Sequence, residues 1–233
     1  MRLAIISDIH ANLEALIKTI EEIGQAGVDE VVCLGDVVGY GANPNECLEL
    51  VRERCSFILK GNHDAAAADL SVAETFTTNA RLSAVWTHKI LGKENRDFLN
   101  NLPYIQEREH SLYVHATPCN PQEWEYILTE YDAKAALQCF HQAICFIGHT
   151  HTPVIFGGFG KAKQVRRENR FIVNVGSVGQ PRDGNPKLSF GVFDSTRWEY
   201  ENIRAVYDIK TAAQKITEAG LPRGLAERLW VGI

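Results

Sequence analysis

The sequence predicts an α/β fold, two packed mixed β-sheets flanked by helices, and three observations predict it. Short β-rich runs alternate with amphipathic helical runs through the first 65 residues. The second half carries closely spaced strand-like runs joined by short polar or Gly-containing connectors. Histidine- and aspartate-bearing clusters follow the apolar runs directly.

Residues 3–7 read as a short strand, and 12–24 as a helix with Leu13, Leu16, Ile17, Ile20 and Ile23 at helical spacing. A second strand over 30–34, a second helix over 45–53 and a third strand over 56–59 follow. This alternation indicates βαβ units and a sheet that is parallel at least in part. The pattern over 65–102 is helical. The runs 111–115, 144–147, 153–157, 171–175, 188–194 and 197–203 read as strands of a second, partly antiparallel sheet. Helices over 209–219 and 223–230 close the chain. No internal repeat, low-complexity tract or linker interrupts it, so 1–233 reads as a single domain.

Composition agrees with a globular chain and narrows its partners. At 233 residues and 26.0 kDa, surface scaling gives a folded area of roughly 10,500 Å², enough burial for one core. Hydrophobic residues at 45% and charged residues at 23% exclude a disordered or fibrous chain. Twenty-four basic against 29 acidic side chains give a net charge of −5, which provides no general field for nucleic acid or anionic lipid. The apolar runs at 3–6 and 143–147 are too short to cross a bilayer. Met1-Arg2 leads straight into a strand without a signal-peptide pattern, so a cytoplasmic location is expected. Six cysteines without a C-x-x-C pair (33, 47, 55, 119, 139, 145) read as buried reduced thiols.

Five of the eight histidines fall in polar clusters at predicted strand ends: His10, His63, His115, His149 and His151. The clusters are Asp8-Ile9-His10, Gly35-Asp36, Gly61-Asn62-His63-Asp64, His115, and Gly148-His149-Thr150-His151. Strand ends of a parallel sheet are where such a fold presents its site. On extended backbone, residues i and i+2 point to one side, so Asp8 with His10, and His149 with His151, converge. Oxygen and nitrogen donors without thiolate suit Mn²⁺, Fe²⁺, Zn²⁺ or a similar ion. The donors outnumber what one ion holds, which favours two.

In this order and spacing the clusters resemble the calcineurin-like metallophosphoesterases, whose run is D-x-H, G-D, G-N-H-D/E, a lone His, and G-H-x-H. The resemblance spans most of the chain, with one departure: Ala116 stands where the family usually has Gly after the lone His. It implies Asp8, His10 and His151 as ligands of one metal, Asn62, His115 and His149 as ligands of the other, and Asp36 as the bridging carboxylate. His63 is implied as the catalytic histidine that is not a ligand. The implied cofactors are two divalent ions, Mn²⁺ foremost, with Fe, Zn, Ni or Mg as alternatives. The implied chemistry is phosphoester hydrolysis: the cations clamp phosphate oxygens and acidify a shared, bridging water that attacks phosphorus.

Other polar residues have plainer readings. Asp64 reads as support for the loop, Asn12 as a helix cap, and His88, His110 and His141 as hydrogen-bonded or solvated side chains. Tyr40, Gly41 and Asn43-Pro44 form a turn at the pocket mouth, and Arg182 in the Gly-rich loop 174–185 is a candidate phosphate contact balanced against a solvated arginine. The basic run Lys161, Lys163, Arg166, Arg167 and Arg170 reads as a solvated hairpin tip. Segments 65–102 and 117–131 are expected to wall the pocket.

Within the family, serine/threonine phosphatases carry Asp-Arg-Gly where this chain has Gly39, Tyr40 and Gly41. Purple acid phosphatases need a Tyr at the position of Gly39. The short chain instead resembles the small prokaryotic-type phosphoesterases, which implies a phosphodiesterase acting on a small phosphodiester or nucleotide. The alternatives are a phosphomonoesterase or protein phosphatase of the same superfamily, and a silent scaffold on this fold. A Rossmann dinucleotide site fails because the first strand–helix turn lacks its glycines.

Overall fold

A computed structural model describes residues 1–233. Strand β1 (Arg2–Ile6) shows the expected period of two: Leu3 and Ile5 enter one buried cluster, and Ala4 and Ile6 enter another. Helix α1 (Leu13–Ala26) starts where Asn12 Oδ1 accepts from the Ala15 amide at 3.1 Å, and ends at Gly27 in left-handed backbone. Asn12 is thus a cap, as its sequence reading has it. Its amide also donates to Gly179 O at 2.8 Å, pinning a distant loop. β2 (Glu30–Cys33) pairs parallel with β1, and α2 (Pro44–Arg54) opens on the proline that fixes its first turn.

The strand expected over 56–59 is not one: it is reduced to a single parallel bridge, Cys33 with Ile58. The Ser56 and Leu59 amides still donate to Val31 O and Cys33 O of β2, and the chain leaves it where the Lys60 amide turns to Pro103 O. The helical stretch that follows is as expected: α3 (Asn62–Ala68), a 3₁₀ turn (Leu70–Thr75), α4 (Thr78–Ile90) and α5 (Lys93–Asn100).

The remaining elements are β3 (Ile105–Arg108), β4 (Ser111–Val114), α6 (Glu130–Ala136), β5 (Ile144–Ile147), β6 (Val154–Gly157), β7 (Gly160–Lys161), β8 (Phe171–Asn174), β9 (Leu188–Asp194), β10 (Glu199–Ala205), α7 (Ile209–Glu218), and α8 (Arg223–Glu227) running into a 3₁₀ turn (Arg228–Trp230). They form two sheets, β10-β9-β1-β2 and β3-β4-β5-β8-β6-β7, each mixing parallel and antiparallel pairs. The predicted fold class holds. One assignment does not: the 188–205 hairpin belongs to the first sheet, where β9 covers the open edge of β1. Short connectors reveal that two strands are neighbours but not which sheet they join.

Between the sheets lie Leu3, Ile5, Val32, Leu34 and Phe193 of the first against Tyr113, Phe146 and Val173 of the second. Helices α1, α2, α7 and α8 cover the outer face of the first sheet, and α6 covers the second. The exposed area is 10,553 Å², close to the value mass alone predicts. No helix is long and apolar enough to cross a membrane.

Two further readings are corrected. Cys119 and Cys139 form a disulfide, with Cα atoms 5.4 Å apart, because α6 turns the chain back toward the loop after β4. The other four cysteines are free; Cys33, Cys47 and Cys145 are buried and Cys55 is half-buried. In the basic run, Lys161, Lys163 and Arg166 are solvated as expected. Arg170 instead lies over the Phe140 ring at 4.6 Å and donates to Phe140 O.

Candidate metal centre

The site forms where loops leave the C-terminal ends of β1, β2, β4 and β5. Its backbone is not the extended chain that sequence suggests. Asp8, His10, Asp36, Tyr40, His149 and His151 all adopt left-handed φ between 49° and 64°. Such residues cost about 1–3 kcal/mol each and persist only where their surroundings hold them. Here the amides of Asp8, His10 and Ala11 donate to the carbonyls of Gly35, Asp36 and Val37, zipping the first two loops together. The amides of Val178 and Gly179 donate to Ser7 O and Asp8 O, adding a third loop. The paired residues do converge, but through this clamp and not through an i/i+2 pleat.

Each aspartate is fixed by one oxygen and offers the other. Asp8 Oδ2 accepts from the His149 amide at 2.9 Å, and Asp36 Oδ1 from the His63 amide at 2.8 Å. The glycine in each motif makes that approach possible. A β-carbon on Gly148 would lie 2.3 Å from Asp8 Oδ2, and one on Gly61 would lie 2.1 Å from Asp36 Oδ1. Asp64 accepts from the Val37, Val38 and Gly61 amides and so ties α3 to the loop of Asp36, as its supporting reading anticipates.

Two buried donor groups result: Asp8, His10 and His151, and Asp36, His115 and His149, each with its donor atoms within 4.8 Å of one another. Asp36 Oδ2 lies between them, 3.6 Å from His10 Nε2 and 3.4 Å from His115 Nε2. His10 Nδ1 donates to Val38 O at 3.2 Å, His115 Nδ1 to Leu34 O at 3.2 Å and His151 Nδ1 to Gln180 O at 2.5 Å. Those bonds place the proton on Nδ1 and leave Nε2 as a lone pair. His10 Nε2 and His151 Nε2 then face each other at 3.1 Å, two acceptors with no proton between them. Asp8 Oδ1, Asn62 Oδ1, His115 Nε2 and His149 Nε2 are buried without any hydrogen-bond partner. Orphaned acceptors of this kind are costly unless a cation satisfies them, so the donor set fits metal ions.

His63 does not join either group. It sits in the first turn of α3, not on extended backbone, so its side chain leaves at about 100° from that of Asn62. Its ring packs on Tyr40 (4.3 Å), Phe76 (4.9 Å) and His10 (5.0 Å). A cavity of about 260 Å³ opens beside it, walled by Asn62, His149, Phe76, Trp124 and Tyr126. Both wall segments expected from sequence therefore reach the site. Tyr126 stacks on His149 at 4.0 Å, a contact that no sequence motif announced. Ala116, in place of the usual glycine, is buried.

Residues 1–197 match the calcineurin-like phosphoesterase superfamily domain. The chain belongs to that superfamily. It is a phosphoester hydrolase. A metallophosphoesterase crystal structure from Sphaerobacter thermophilus shares 35% identity over the full length of both chains, with a TM-score of 0.90. An uncharacterized protein of Methanocaldococcus jannaschii, MJ0912, is 38% identical over 99% of this chain and 98% of its own length. The phosphodiesterase YfcE of Escherichia coli is 26% identical over 84% of this chain and 88% of its own.

The electrostatics of this phosphoesterase site prepare its donors for cations. Burial opposes ionisation of Asp8, yet His151 and His115 hold it below the usual carboxylate range. Burial pushes His149 down to about 3, helped by His115, and His63 down to about 4 despite Asp36. For His115 burial acts downward too, but Asp36 overcomes it and raises the imidazole to about 9. Asp36 thus draws positive charge to His115 Nε2, either as a proton or as a cation that would displace that proton and use the lone pair. Burial and then Asp36 raise Asp64 to about 7.

Proposed function

We propose that this chain, acting as one domain, is a dinuclear metal-dependent phosphodiesterase for a small phosphodiester or nucleotide. Asp8, His10 and His151 would hold one ion, Asn62, His115 and His149 the other, and Asp36 would bridge them. Mn²⁺ is the ion favoured for this oxygen and nitrogen set, and the cytoplasm the favoured place of action. The observation that carries the reading is the convergence of unsatisfied acceptors from both groups around Asp36 Oδ2.

Two divalent ions bound there supply positive charge for phosphate oxygens and lower the pKa of water. The chain's own groups do the rest. Carbonyls of Val38, Leu34 and Gln180 orient the imidazoles. His63, neutral at pH 7 and facing the cavity, donates a hydrogen bond to the phosphate or its leaving oxygen as charge develops there. Phe76, Trp124 and Tyr126 offer apolar faces to a second ester group and exclude water from it.

A diester fits better than a phosphoprotein, since Gly39 and Tyr40 replace the Asp-Arg pair of the protein phosphatases. Chelation is expected to abolish hydrolysis of bis(p-nitrophenyl) phosphate, with Mn²⁺ restoring it. Undiminished turnover by verified metal-free protein contradicts the proposal. A higher kcat/KM on a phosphoserine peptide overturns the diester preference.

A further inference from the structure

Next to the donor groups, Arg182 and Arg228 converge with no aspartate or glutamate to answer them. Gln180 Oε1 accepts from Arg182 Nη2 at 2.8 Å and from Arg228 Nη1 at 3.0 Å, so one neutral oxygen serves two cations. Both guanidinium groups lie over the Tyr40 ring, 5.7 and 5.9 Å from its centroid. The neighbouring carboxylates are engaged elsewhere: Asp183 pairs with Arg204 at 2.7 Å, and Glu227 with Arg223 at 2.6 Å. Neither Arg182 nor Arg228 forms an ion pair with any Asp or Glu. Arg182 Nε is buried and has no hydrogen-bond partner.

The pair is built into the site's edge. The Arg182 amide donates to His151 O at 3.2 Å, and the Gln180 carbonyl accepts from His151 Nδ1. Tyr40, beneath both guanidinium groups, also touches His10 (4.7 Å) and His63 (4.3 Å). Arg228 Nε donates to Ile233 O, which holds it in place from the other side. Arg228 lies beyond residue 197, where the superfamily match ends, whereas Arg182 lies within it.

We infer that Arg182 and Arg228 form an anion subsite for a second phosphoryl group, so that the preferred substrate carries one besides the phosphoester being cleaved. Two planar, permanently charged donor forks facing one neutral acceptor suit a multiply charged oxyanion better than a structural clamp, for which one arginine suffices. The inference rests on the proposed phosphodiesterase reading for its placement, but the subsite is testable without turnover.

Calorimetric titration of the Mn²⁺-loaded protein with methylphosphonate, methylenebisphosphonate and propane-1,3-bisphosphonate tests it, since none of the three is hydrolysed. At least one bisphosphonate is expected to bind about tenfold or more tightly than methylphosphonate, the scale of one charge-assisted hydrogen bond. Arg182→Gln and Arg228→Gln should each remove most of that gain, and Arg228→Lys should retain part of it, which a purely structural role would not produce. Equal affinities in the wild type overturn the subsite. So does a gain undiminished in both glutamine variants, which would place the second phosphoryl group on the metals. Failure to hydrolyse bis(p-nitrophenyl) phosphate would instead remove the phosphodiesterase reading and leave the titration result standing.

Discussion

The two donor groups use the same residue types and meet at one carboxylate, yet they are held differently. In the first, His10 and His151 both give Nδ1 to a loop carbonyl, and every member comes from a loop at the end of a strand. In the second, only His115 has such a carbonyl. His149 lies under Tyr126, and Asn62, the neighbouring donor, is carried by α3 and lines the cavity. The first group is a closed fixture of the sheet ends. The second opens toward the cavity beside His63, and part of it depends on a helix outside both sheets.

Breaking the carboxylate between the groups should have the largest effect. Asp36→Asn is expected to deplete both metals and to cost more turnover than any other single change, since a bridging charge offsets the repulsion of two cations. Asp8→Asn and His149→Ala should each deplete mainly one, and elemental analysis reads the difference. Two metals per chain in the Asp36 variant, where the Asp8 variant has lost one, would contradict the comparison.

Next in size is His63→Ala, which belongs to neither group. It should keep near-normal metal content while kcat falls by about 10²–10⁴, less for substrates with good leaving groups. Metal loss matching that of His149→Ala would make His63 a ligand.

Much of this arrangement was legible in the sequence, for identifiable reasons. The donor types and their order depend on short motifs, and the alternation of strand and helix depends on side-chain periodicity, both local properties. The left-handed backbone of Asp8, His10, His149 and His151 was not legible, because it is imposed by hydrogen bonds from loops far along the chain, such as Gly179 N to Asp8 O. Placing the 188–205 hairpin needed a contact with β1 at the other end of the chain. Helix α6 escaped notice although its Thr129–Asp132 capping box is written in the sequence; seven residues are too few to show a period. Arg228 and Tyr126 carry no motif, and only packing brings them to the site.

The smallest effect serves as a control on the comparison. Arg108 holds Glu30 in a two-pronged pair between β3 and β2, joining the sheets at the end of β2 away from the site. Hydrogen bonds from Arg108 keep the Glu30 carboxyl below its usual range. Its contribution is therefore present above the unfolded-state pKa and lost as pH falls through the lower folded value. Part exposure and screening limit it to under about 1 kcal/mol. Glu30→Gln should lower Tm by a few degrees at neutral pH, with the gap closing in acid and both metals retained. A gap that widens as pH falls contradicts this sign.

The central claim is that two cations sit on either side of Asp36. Anomalous diffraction from crystals of the Mn²⁺-loaded protein tests it most directly. The account predicts two manganese peaks per chain, one among Asp8, His10 and His151 and one among Asn62, His115 and His149, both in contact with Asp36. A single peak, or a second peak touching His63 instead of Asn62, would contradict it.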